Sequence, residues 1–178
     1  MNTKEVITLV LSSSILTALI TGALNWFMKR NDYKKEVYKK IIDKRLIAYQ
    51  EVEQLIKSMY FVLYDKRTGL KYNKFLMDVE DFNEFFVHFG RSMNNSIWYS
   101  TGLRKLLQSL NQFVLNNSNI FPVNRLEEPK TETDIIKEIS PFYDEINDLK
   151  TELENQLIID YHSFHKISEQ GLKRAITK

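Results

Sequence analysis

The chain has three histidines, and two of them, His162 and His165, stand three residues apart. On a helix that spacing puts both imidazoles on one face, where Asp160 and Glu169 lie near enough to add a carboxylate. A divalent metal held there needs a further ligand from another element, and only His88 is left to offer an imidazole. Glu80, Asp81 and Glu84 form a second carboxylate group, which the polar face of a helix explains without any ligand. No glycine-rich phosphate loop, nucleophile elbow or HExxH stands anywhere in the chain. There is no cysteine, which removes disulfides, thiolate zinc sites and thiol nucleophiles from consideration. No catalytic residue, metal or cofactor is therefore expected, and the chain is not expected to be an enzyme.

Binding chemistry is better represented. Lys29, Arg30, Lys34, Lys35, Lys39, Lys40, Lys44 and Arg45 place eight cations within seventeen residues. Their first six are candidates for contact with anionic lipid or, as the sharper reading, nucleic acid. The four lysines 34, 35, 39 and 40 spread round a helix, so they make no single groove. Residues 29–74 carry thirteen Lys or Arg against six Asp or Glu, a net of +7, whereas residues 75–178 carry a net of −5. A basic segment followed by an acidic domain reads as a leaflet-facing part followed by a solvated one.

The element that positions these cations is the stretch before them. Val6 to Met28 is twenty-three residues without a charge, enough for a helix to cross a hydrocarbon core about 30 Å thick. Lys4 is the one basic residue ahead of it, so the basic excess behind it puts the carboxyl-terminal side in the cytoplasm and the amino terminus outside. A cleaved signal peptide is the alternative, with Thr21-Gly22-Ala23 as the cleavage site. The apolar run continues past that site through Trp26 to Met28, which favours a retained anchor. Ser14, Thr17, Ala18, Thr21 and Asn25 fall in one sector about 100° wide, and Ser14, Ala18 and Gly22 repeat small residues at every fourth position. These six residues are the candidates for helix association or for lining a pore.

Five Gly and three Pro in 178 residues favour long helices over many short strands. The expected class is all-α: a transmembrane helix continuing into a cytosolic bundle of about four helices. The expected layout is an outer stub (1–5), the span (6–28), the bundle with its basic stalk helix (29–171) and a basic tail (172–178). The spacing of Tyr38, Ile42, Leu46, Tyr49, Val52, Ile56, Met59 and Leu63 predicts a stalk helix running to Tyr64 without a break, with a bend at Asn31-Asp32 as the alternative. Phe75, Val79, Phe82, Phe86 and Phe89 predict a core helix from Tyr72, ended by Gly90 and Asn94-Asn95-Ser96. A third helix is expected over Ile97–Leu115, and a long loop over 116–130. Thr131 and Asp134 then sit like a capping box. Ser140-Pro141 either kinks the last helix or begins a new one, and Gly171 is the expected stop.

An outer stub, one uncharged span, a basic stalk and a small helical bundle together resemble the membrane effectors encoded beside nucleotide-signalling enzymes in bacterial antiphage operons, of the channel-forming Hailong type. The resemblance covers the layout of the whole chain and carries over no functional residue. It implies a homo-oligomer in the cell membrane that conducts when the bundle receives a nucleotide or oligonucleotide signal, here an oligodeoxyadenylate. A membrane-tethered adaptor holding a protein partner is the alternative expectation.

Overall fold

The computed structural model describes the backbone of residues 3–125 and 130–176, and the side chains of 17, 18, 20–125 and 130–164. The chain is mostly helical and divides into two compact units, Met1–Lys44 and Arg45–Lys178. Helix α1 is assigned from Thr3 to Ser58 with no break at Asn31-Asp32. Among the described residues no helix is long and apolar enough to cross a membrane. Within the stretch expected to span, the side chains of 6–16 and Leu19 lie outside the described residues.

The stalk helix stops six residues short of the expected end. Met59 and Tyr60 donate to the carbonyls of Ile56 and Lys57, three residues back, which tightens the last turn. Beyond it, Tyr60-Phe61-Val62-Leu63-Tyr64 is a run of aromatic and branched residues suited to extended backbone. It forms strand β1 (Val62–Tyr64), antiparallel to β2 (Lys71–Asn73), with Leu63 opposite Tyr72. Asp65 and Gly69 make the connecting turn. The Asp65 carboxylate accepts from the amides of Arg67 and Thr68 at 3.2 and 3.1 Å and from the Thr68 hydroxyl at 2.7 Å. The Thr68 hydroxyl does most to hold that carboxyl below its ordinary range. Gly69 has φ 73°, a left-handed conformation that favours glycine.

The next three helices of this unit begin at side-chain caps. Helix α2 runs Val79–Asn94, later than expected, because the Asp78 carboxylate takes the amides of Glu80 and Asp81. It passes through Gly90 instead of ending there. Phe75 belongs to a separate 3-10 turn, Lys74–Leu76. Helix α3 is Thr101–Asn116, capped by Ser100, whose hydroxyl accepts from the Leu103 amide at 3.1 Å. The expected start at Ile97 falls instead in a 3-10 turn, Ser96–Trp98. The long loop holds two more such turns, 118–120 and 122–124, and its residues 126–129 lie outside the described ones.

Thr131 caps α4 (Glu132–Ile139) by accepting from the Asp134 amide, as the capping-box reading expects. At Ser140-Pro141 the helix splits: a 3-10 turn, 140–142, separates α4 from α5 (Tyr143–Ile176). Ser140 is not the side-chain cap of that turn, and α5 passes through Gly171. The core gathers Ala48, Tyr49, Val52, Leu55, Ile56 and Met59 of the α1 end and its exit, together with Phe75, Phe82, Phe85 and Phe89. Leu103, Leu107, Leu110 and Phe113 from α3 meet Ile146, Leu153 and Leu157 from α5, and Ile136 and Ile139 complete it from α4.

Candidate functional site

In the unit Met1–Lys44, Thr17, Ala18, Thr21, Gly22 and Asn25 are all exposed, while the side chain of Ser14 lies outside the described residues. A Cβ at Gly22 would meet nothing within 4 Å, so the helix surface is open at that residue. Trp26, Phe27 and Met28 follow, each more than half exposed. The two rings meet edge to face at 5.1 Å, and the Arg30 guanidinium lies 5.4 Å from the Trp26 ring centre. An indole with a cation over it is the arrangement suited to a headgroup layer, where an apolar ring and a polar tip are both accommodated.

Lys29, Arg30, Lys34, Lys35, Lys39 and Lys40 are exposed as well. Lys40 pairs with Glu36 one turn earlier at 2.8 Å. That hydrogen bond holds the Glu36 carboxyl below its ordinary range and the Lys40 ammonium above its own. The chemistry available here is long-range attraction for anionic surfaces, weakened by salt.

The unit Arg45–Lys178 contains a polar network that sequence reasoning missed. Asp160 is buried on α5, and its two oxygens accept from the Tyr49 hydroxyl at 2.8 Å and the Gln156 amide at 2.8 Å. The Tyr49 oxygen in turn accepts from the Ser100 amide at 3.1 Å. Tyr99 donates to the Ala48 carbonyl at 2.9 Å and meets the Tyr49 ring edge-on at 5.4 Å. Burial, then the bond to Asp160, pushes the Tyr49 phenol up to about 12. Burial raises Tyr99 further in the same direction. Arg45 lies over the Phe164 ring at 5.6 Å, and with Tyr49, Ser100 and Asp160 it lines a cavity of about 90 Å³. Gly102 makes room for this network, since a Cβ there would stand 2.6 Å from the Gln156 carbonyl oxygen.

Asp160 therefore faces Tyr49 and Gln156, which gives this carboxylate a structural part. His162 is exposed, and the side chains of His165 and Glu169 lie outside the described residues. Among the described residues no group of three His, Cys, Asp or Glu side chains could hold a metal ion. His88 instead joins α2 to α1: its Nδ1 lies 3.2 Å from Glu51, which Arg91 approaches at 3.9 Å. Of the expected carboxylate group, Asp81 pairs with Lys74 at 2.8 Å. A groove of about 650 Å³ lies between α3 and α5, where Gln112, Asn116 and Asn117 face Asp144, Asp148 and Glu152.

No protein-family model, curated protein or solved structure matches the chain.

Proposed function

We propose that the chain is a single-pass membrane protein, anchored by Val6–Met28, whose helical unit lies in the cytoplasm. Several copies associate through Ser14, Thr17, Ala18, Thr21, Gly22 and Asn25 to permeabilise the membrane when the helical unit receives a signal, of nucleotide or oligonucleotide type. The observation that carries the reading is the uncharged stretch with a stripe of small and polar residues in one sector, followed directly by exposed cations. In that sector Asn25 is costly against lipid and acceptable against another helix or water. The layout resemblance to antiphage membrane effectors supports the same assignment.

Replacement of Ser14, Thr17 and Thr21 by Leu keeps the span apolar and is expected to abolish ion leak in signalled cells without altering localisation. Serines placed at Leu9, Ile15 and Leu19 instead are expected to leave conduction intact. A polyleucine span that still supports conduction would sink the pore assignment.

A tethered adaptor is the second reading, favoured by the groove between α3 and α5. Its carboxylates suit a basic segment of a protein partner. Under that reading any unrelated anchor substitutes for Val6–Met28 without loss of activity.

A further inference from the structure

Helices α3 and α5 run antiparallel: Phe113 near the end of α3 meets Phe142, just before α5, at 6.1 Å, and Gly102 at its start lies against Gln156. The groove between them, about 650 Å³, has the ordinary size of a binding site. Phe113, Leu149 and Pro141 supply its apolar lining, and Ser109, Gln112 and Asn116 line the α3 side. On the α5 side stand Asp144, Glu145, Asp148 and Glu152, all exposed.

These carboxylates are bare where comparable ones are not. Glu36, Glu53, Asp81 and Glu138 each hold a lysine at 2.8–3.0 Å. Among the described residues no lysine or arginine lines the groove or pairs with its four acids. Asp144, Asp148 and Glu152 also stand four residues apart in turn, a spacing at which like charges repel along a helix. A cation supplied from outside relieves that repulsion. At 1.5 Å of rise per residue the three acids follow one another at about 6 Å. An extended chain sets alternate side chains on one face about 6.6 Å apart. Over two steps the mismatch is about 1 Å, which a flexible lysine stem absorbs.

We propose that the α3–α5 groove binds an extended segment of a partner protein with Lys or Arg at every second position. Three successive cations of that segment pair with Asp144, Asp148 and Glu152, and their methylene stems lie on Phe113 and Leu149. The side-chain amides of Gln112 and Asn116, which both donate and accept, meet the segment's backbone. A chain of spaced cations suits the groove better than a single metal ion. Among the described residues no three His, Cys, Asp or Glu side chains are placed to hold one. The proposal deepens the tethered-adaptor reading and rests on the groove named there.

The test is the affinity of the full-length protein, solubilised in detergent, for two labelled peptides of the same composition. One carries lysine at every second position, and the other has its lysines adjacent. The alternating peptide is expected to bind at least fivefold more tightly. Changing Asp144 and Asp148 to Asn and Glu152 to Gln together is expected to weaken it at least tenfold. Removing the same charge elsewhere, by Asp32→Asn, Asp43→Asn and Glu84→Gln, is expected to change it less than twofold. Ser109→Arg places a competing cation in the groove and is expected to weaken the peptide at least fivefold, which keeps the test open should the triple variant lose its helical circular dichroism. Equal binding of the two peptides, equal losses in the two triple variants, or no binding of either peptide overturns the proposal. So does a groove variant that dissociates an oligomer while the peptides do not bind, which would give the groove to the stalk of a second copy. The adaptor reading fails separately, when an exchanged anchor abolishes activity in a chain that still binds the peptide.

Discussion

At Tyr49 a single hydroxyl serves three elements, joining α1 to Asp160 on α5 and to the start of α3. Tyr49→Phe leaves a buried carboxylate with one donor fewer and is expected to cost about 1.5–3 kcal/mol in urea unfolding. The pH dependence has a definite sign. A phenol raised to about 12 in the folded chain, against about 10 unfolded, stays protonated longer in the folded state. Its contribution is fully present below about pH 10 and lost as pH rises toward about 12. Tyr49→Phe should therefore show a shallower loss of urea midpoint between about pH 10 and about pH 12, with the other raised phenols, Tyr60, Tyr72, Tyr99 and Tyr161, keeping their share of the slope. An identical slope in both proteins would count against this assignment. Gly102→Ala is expected to be nearly neutral, because about 1 kcal/mol of helix propensity offsets the displaced Gln156 bond. In a Gln156→Ala background the same change should stabilise, which a double-mutant cycle reads directly. None of this network was legible in the sequence, because Tyr49 and Asp160 are separated by 111 residues and each looks ordinary on its own helix.

Among the elements, the phenylalanines show how far periodicity reaches. The stripe Phe75, Val79, Phe82, Phe86 and Phe89 takes its phase from Phe75, which lies in a 3-10 turn before α2 begins. With the phase set by the helix itself, the inward residues are Phe82, Phe85 and Phe89. Phe85 is 1% exposed and Phe86 50%. Phe82→Ala and Phe85→Ala should each cost about 3–5 kcal/mol and Phe86→Ala under about 1 kcal/mol, read by thermal or denaturant unfolding. A costly Phe86→Ala would mean that face is covered in the working protein. Helix starts were legible where a cap stood alone before an apolar run, as at Thr131. They were misplaced at Asp78 and Ser100, where earlier residues continued the spacing. The hairpin was missed because Leu63 stands four residues after Met59 and so prolongs the helical pattern. The signal that identifies it is the five-residue aromatic and branched run ending at Asp65-Lys66-Arg67-Thr68-Gly69.

On the scale of the whole molecule, charge and apolarity are segregated along the sequence: an uncharged stretch, a segment of net +7, then a domain of net −5. That order is visible without any structure, and the class of the fold was visible with it. The α3–α5 groove was not, because it joins residues that are distant in sequence. If the cations face anionic headgroups, changing Lys34, Lys35, Lys39 and Lys40 together to Gln should weaken association of the basic segment with anionic vesicles by about 1 kcal/mol per residue at most, and salt should have the same effect. Unchanged binding would redirect attention to the apolar stretch alone. The anchor itself is the claim on which the rest depends, and topology tests it most directly. A reporter fused after Lys178 is expected to be active in the cytoplasm and to sediment with membranes after carbonate extraction, and removal of residues 1–28 is expected to release it. A reporter that reads out on the far side of the membrane, or a full-length chain recovered in the carbonate supernatant, would contradict the account.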